Sequence, residues 1–126
     1  MNKLLMLSSV VLGIILSIKV FLHYQKLKKH PVLIIVIVIG ILTSILNHSS
    51  KSKCLKYIDR IWMVISLLVI ADILKHVDNN KTLCYYLLII SVLLYLTKYF
   101  IKNNISHLLC HIVITLCLIL IIQFIQ

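Results

Sequence analysis

Five apolar runs, joined by short lysine-bearing segments, leave this chain few ways to fold. They extend over roughly 4–22, 32–47, 58–74, 83–101 and 105–125. At ~1.5 Å of rise per residue, helices of this length match the ~30 Å of hydrocarbon in a bilayer, the second run being somewhat short. Backbone amides and carbonyls in lipid must bond within their own segment, so each run is expected as a helix. The expected fold is an all-α membrane protein: a single transmembrane domain, 1–126, built as a bundle of about five transmembrane helices.

The rest of the sequence agrees with that environment. A soluble domain covers its surface with about a quarter charged residues, whereas this chain has 13%, against 62% hydrophobic. Its only acids are Asp59, Asp72 and Asp78. Two glycines and one proline are too few for a chain made of turns. The opening "MNKLLMLSSVVLGIILSIKVFLHYQKLKK" has the look of a signal peptide, but no small-x-small cleavage site follows its apolar part. It is expected to stay as a helix. His30-Pro31 opens the second run well, since proline fits a first helical turn.

The net charge of +10 is spread over several short segments, and twelve of its thirteen cations are lysines. They read as loop and headgroup contacts, and no nucleic-acid partner is expected. Cys54, Cys84, Cys110 and Cys117 form no CxxC and no disulfide framework. Cys110 and Cys117 read as lipid- or core-facing thiols.

Short loops make the helices alternate in direction, which sorts the polar residues by membrane face. Side one, where the N-terminus lies, receives the end of the second helix and the starts of the third and fifth. Those ends carry Ser44, Asn47 and His48; Asp59; and His107 and His111 in "HLLCH". His107 and His111, spaced i, i+4, stand on one helix face. Three histidines from two helices, with a carboxylate and a hydroxyl in the same layer, make up the ligand set of a catalytic Zn²⁺ site with an open fourth position. Ionisable groups within membrane segments are functional candidates by default. The alternative is that His48 and His107 snorkel to the headgroups. Asp72, Lys75 and His76 form a separate polar group at the far end, and Tyr57, Arg60 and Trp62 read as interfacial belt residues. Lysine and arginine split seven to six between the faces, Lys102 among the seven, so charge does not orient the chain.

The order Ser44-x-x-x-His48, then Asp59, then His107-x-x-x-His111 resembles the CREST superfamily of membrane hydrolases, which contains the alkaline ceramidases and the progestin and adipoQ receptors. "DRIWM" shares Asp59 and Met63 with the ceramidases' Asp-Glu-x-Pro-Met stretch and has Arg60 and Trp62 where they have Glu and Pro. Cys110 stands where their His-x-x-Trp-His has Trp. The resemblance covers 32 to the C-terminus. Members have seven helices, with three between the Asp helix and the HxxxH helix where this chain has one. The loss of two preserves the alternation and removes walls of the substrate cavity. An acidic N-terminal calcium site has no counterpart in "MNKLLML".

The resemblance implies that His48, His107 and His111 bind Zn²⁺. Asp59 would orient the zinc-bound water or act as general base, then return the proton to the leaving amine, and Ser44 would donate to the oxyanion. Helix packing or a backbone bond is the other reading of Ser44. The implied activity is zinc-dependent intramembrane hydrolysis of an amide bond in a ceramide-like membrane lipid, by a multi-pass protein of an endomembrane such as ER or Golgi if the source is eukaryotic or viral. Self-association into a homo-oligomer is one way to wall the shortened bundle. The other functional classes are a bis-histidine haem-binding membrane protein and a non-catalytic small multi-pass membrane protein.

Overall fold

A computed structural model describes residues 3–101 and 104–125. Lys102, counted above among the side-one cations, lies outside them. The chain is helical almost throughout: α1 Lys3–Leu22, α2 Tyr24–Leu27, α3 Pro31–Ser49, α4 Lys53–Ile73, a 3-10 turn Leu74–His76, α5 Lys81–Ile101 and α6 Asn104–Phe124. One isolated antiparallel bridge pairs Val77 with Ile125.

Local chemistry sets the joints. His23 leaves the helical region (φ −111°, ψ 18°), which separates α1 from the single turn of α2. Lys26 Nζ then donates to the carbonyl of Gln123 at 2.6 Å, a cation on the carbonyl-rich end of α6. Pro31 sits in the first turn of α3, where its missing N–H costs nothing. Asn80, at φ 60°, turns the chain into α5; asparagine is among the few residues that tolerate this region. Ser52 caps α4, its hydroxyl accepting from the amide of Leu55 at 3.4 Å. That cap starts the helix at Lys53, ahead of the 58 expected from hydropathy, because capping and helix propensity act on Lys53–Tyr57 whatever their polarity.

Lys3–Leu22, Pro31–Ser49, Lys81–Lys98 and Asn104–Phe124 are long and apolar enough to cross a membrane, which is compatible with a multi-pass membrane protein. α4 is equally long, with 21 residues. It falls outside that group because Lys53, Lys56, Asp59 and Arg60 crowd its first turns.

The helices pack in the order α4, α3, α1, α6, α5. α3 and α1 meet closely at Gly13, where a Cβ would stand 2.8 Å from Cγ2 of Ile41. Small residues permit such approach between apolar helices. Among the described residues α4 and α5, the two ends of this row, have no comparable seam, so the bundle is an arc rather than a closed ring. Its two halves differ. The buried apolar core, including Leu33, Ile70, Leu74, Val77, Ile121 and Ile125, fills the half away from the N-terminus. There the 3-10 turn touches both α4 and α5 and closes the arc. The other half is hollow.

Candidate metal centre

The hollow half holds the polar residues. α3 brings His48 in its last turn, and α6 brings His107 and His111 in its first turns. The imidazole centroids lie 4.9 Å apart for His48–His107, 5.2 Å for His48–His111 and 4.7 Å for His107–His111. One nitrogen from each ring lies within 4.8 Å of the other two. His48 and His107 are buried.

Whether these rings suit a metal is decided by their free nitrogens. His48 Nε2 and His107 Nδ1 are buried with no hydrogen-bond partner among the described residues. A buried polar atom left unpaired costs about 1–3 kcal/mol, so two of them in one cluster call for an occupant. The third ring is set by α1. The Ser8 hydroxyl donates to the carbonyl of Leu5 at 2.8 Å, and its oxygen lies 3.0 Å from His111 Nδ1. When the hydroxyl proton goes to Leu5, His111 Nδ1–H donates to Ser8, and the lone pair of Nε2 is then available. An outer hydrogen bond of this kind fixes the tautomer and orientation of a metal-binding histidine. Each ring thus offers one nitrogen to a common space, within 4.8 Å of the other two. Tetrahedral zinc needs N···N separations of roughly 3.3 Å, so the rings would have to draw together around an ion.

The remaining groups surround the rings. Asn47 Nδ2 donates to Asp59 Oδ2 at 2.8 Å, so α3 holds the carboxylate of α4 one residue from His48. Ser44 Oγ lies 2.8 Å from Ser9 Oγ, and either can donate. The alternative reading of Ser44 as a packing group thus has a partner on α1. Trp62 Nε1 donates to the carbonyl of Val36 at 3.3 Å, tying α4 to α3. Tyr95 of α5 sets its ring edge to His107, centroids 5.7 Å apart. Cys110 is turned away: its thiol donates to the Ser91 carbonyl at 3.2 Å, clipping α6 to α5.

A cavity of about 350 Å³ opens beneath this layer, with Ser44, Asp59, His107 and His111 at its head. Its walls are apolar and come from all five long helices, with Leu12, Ile37, Met63, Val92 and Ile114 among them. The structure therefore brings Ser44, His48, Asp59, His107 and His111 to one place. The polar group at the far end also assembles. Asp72 accepts from Lys75 at 3.0 Å, and His76 lies 5.3 Å from His30, centroid to centroid.

Ser8, Ser9 and Tyr95 escaped sequence reasoning, and Lys98 was counted only among the side-one cations. The signal was present: the start of α1 and the end of α5 lie on the same face as the three ends inspected. The alternation rule applied to all five would have found them.

The fold and the centre define a class: a helical bundle with spans long enough for a membrane and a buried three-histidine cluster above an apolar cavity. No family model, curated protein or solved structure matches the chain. The likeness to the ceramidases stands on the ordered motif alone.

Proposed function

We propose that this chain is a zinc-dependent intramembrane hydrolase that cleaves an amide bond of a ceramide-like membrane lipid, with α4 as a fifth span whose charged end lies among the headgroups. One observation carries the reading: three imidazoles, two of them with orphaned buried nitrogens, sit at the head of an apolar cavity beside a carboxylate. His48 Nε2, His107 Nδ1 and His111 Nε2 would hold the ion. Zinc, when bound, polarises a carbonyl and makes hydroxide available near neutral pH.

The chain's own residues supply the rest. Asp59, held by Asn47, takes a proton from the attacking water and delivers it to the amide nitrogen, which cannot leave as an anion. Of the Ser9–Ser44 hydroxyl pair one donates to the other, and the second keeps a proton for the carbonyl oxygen as charge grows on it. Such a donor is often worth ~3 kcal/mol. The cavity receives acyl chain, and its apolar walls exclude water from the carbonyl. Three rings packed within 5.2 Å suit a single ion better than the flat macrocycle of haem.

The test couples elemental analysis of the solubilised protein to release of fatty acid and sphingoid base from ceramide, with His111→Ala as control. One zinc per chain with release above that control is the expected result. One zinc per chain with equal release would make the chain a metal-binding protein without this activity. A strong visible band with no zinc would reassign the histidines to haem.

A further inference from the structure

Cations collect where the arc is open. Lys98, near the end of α5, is half-buried and places Nζ 5.5 Å from the Tyr95 ring centroid. Tyr95 in turn packs edge-on against His107. Across the gap, Lys56, Asp59 and Arg60 of α4 lie within electrostatic reach of Lys98. The three histidines do so from α3 and α6. Three cations meet one carboxylate, an excess of two positive charges (3 − 1) before any metal binds. Like charges brought together repel, and the chain has no acid to spare. Asp72 is engaged by Lys75 in the last turn of α4, and Asp78 follows in the next loop. An anionic group brought by a ligand would be attracted to this mouth. Directly below, the cavity wall is apolar, with Trp62 and Leu96 on its two sides.

A phosphate above and an acyl chain below fit that division. We infer that the lipid taken by this site carries a phosphate on its head, held by Lys98, Arg60 and Lys56 between α4 and α5 while its acyl carbonyl reaches the histidines. This rests on the hydrolase reading and narrows its substrate class. In a sphingoid lipid the head phosphate and the amide carbonyl are only a few bonds apart, so both groups can be engaged by neighbouring layers of one site. Lysine and guanidinium groups are suited to phosphate through charge-assisted hydrogen bonds.

The experiment compares binding of ceramide 1-phosphate and ceramide, equal in chain length, to zinc-loaded protein in neutral phosphatidylcholine nanodiscs at about 0.15 M salt, where long-range attraction is screened. Ceramide 1-phosphate should bind about tenfold or more tightly, the scale of one strong charge-assisted contact. Lys98→Gln should reduce that ratio to within about twofold at unchanged zinc content, and Lys98→Arg should keep it. Lys53→Gln, on the exposed start of α4, should also keep it. Inorganic phosphate should fail to displace the lipid at equal concentration; equal competition would assign the cations to free phosphate and overturn the lipid assignment. Equal affinities in the wild type, or a ratio that survives Lys98→Gln, would also overturn it. Binding is read without turnover. A chain that prefers ceramide 1-phosphate and cleaves neither lipid keeps this inference and loses the hydrolase. One that cleaves ceramide and shows no preference does the reverse.

Discussion

At the scale of the residue, Ser8 carries the most specific consequence. Its hydroxyl reaches both the Leu5 carbonyl and His111 Nδ1; with its proton on Leu5 it accepts from His111 and leaves the lone pair on Nε2, the tautomer that the proposed metal site needs. Ser8→Ala removes the acceptor and frees the ring to rotate and exchange tautomers. Zinc affinity, measured against a competing chelator, is expected to fall roughly 10- to 100-fold, the usual cost of losing an outer partner of a metal histidine. Ser17→Ala, which loses only a bond to the carbonyl of Gly13 on the same helix, should leave it alone. An unchanged affinity in Ser8→Ala would detach Ser8 from the centre. Substitution of His48, His107 or His111 by Ala is a coarser change and should abolish stoichiometric zinc, since each would supply one of the three ligand nitrogens of the proposed site. Asp59→Asn separates binding from chemistry. Asparagine can still pair with Asn47 but cannot carry the proton, so the variant should retain one zinc per chain and lose turnover by a factor of about 10² to 10⁴. Zinc lost as completely as in His107→Ala would instead make Asp59 a ligand.

At the scale of the element, the α1–α3 contact is where a small change should be felt most. A methyl on Gly13 would approach Cγ2 of Ile41 to 2.8 Å, inside van der Waals contact. Gly13→Ala should therefore lower stability by about 1–3 kcal/mol, as overpacking does, despite alanine's better helix propensity. Detergent unfolding followed by circular dichroism reads the loss. Ile41→Ala in the same chain should restore part of it, since the clashing carbon is then gone; additive losses would place the strain elsewhere. This seam was not legible beforehand. The apolar runs were, because lipid demands long stretches without charge, and such stretches stand out against lysine-bearing joints. The start of α4 was hidden for the same reason: Lys53 and Lys56 look like loop to a hydropathy scale, while the Ser52 cap decides the matter. The meeting of His48, His107 and His111 followed from helix direction alone. The contribution of Ser8 did not, since a serine in an apolar helix ordinarily bonds its own backbone, as Ser17 does here.

At the scale of the whole molecule, the order of packing is the property that nothing in the sequence announces. Apolar helices in lipid gain little from burying one apolar face rather than another, and their neighbours are chosen by small residues and a few hydrogen bonds. Here Gly13, the Ser9–Ser44 pair and Trp62 join α1, α3 and α4, while Cys110 joins α6 to α5. α4 and α5 end up as the two free edges of an arc around the cavity. An arc in a bilayer can be filled by lipid entering sideways or closed by a second copy of the chain, and the single tryptophan tells these apart. Trp62 lines the cavity on the α4 side. If lipid enters between α4 and α5, phospholipids brominated on their acyl chains should quench most of its fluorescence in nanodiscs holding one chain each. A dimer sealed along these edges would shield it, and quenching would then fall as chains are allowed to pair. Exposed Leu93 on α5 supplies the control: Leu93→Trp in a Trp62→Phe background should be quenched by lipid in the single-chain discs and shielded only if that edge is the dimer seam. Strong quenching at both positions, independent of the number of chains per disc, is the expected outcome, because under the proposed function the apolar cavity would receive a lipid, and two cation-rich mouths would repel one another across a shared seam. Weak quenching of Trp62 in single-chain discs would mean that the bundle closes on itself, and the sideways entry of substrate would have to be given up.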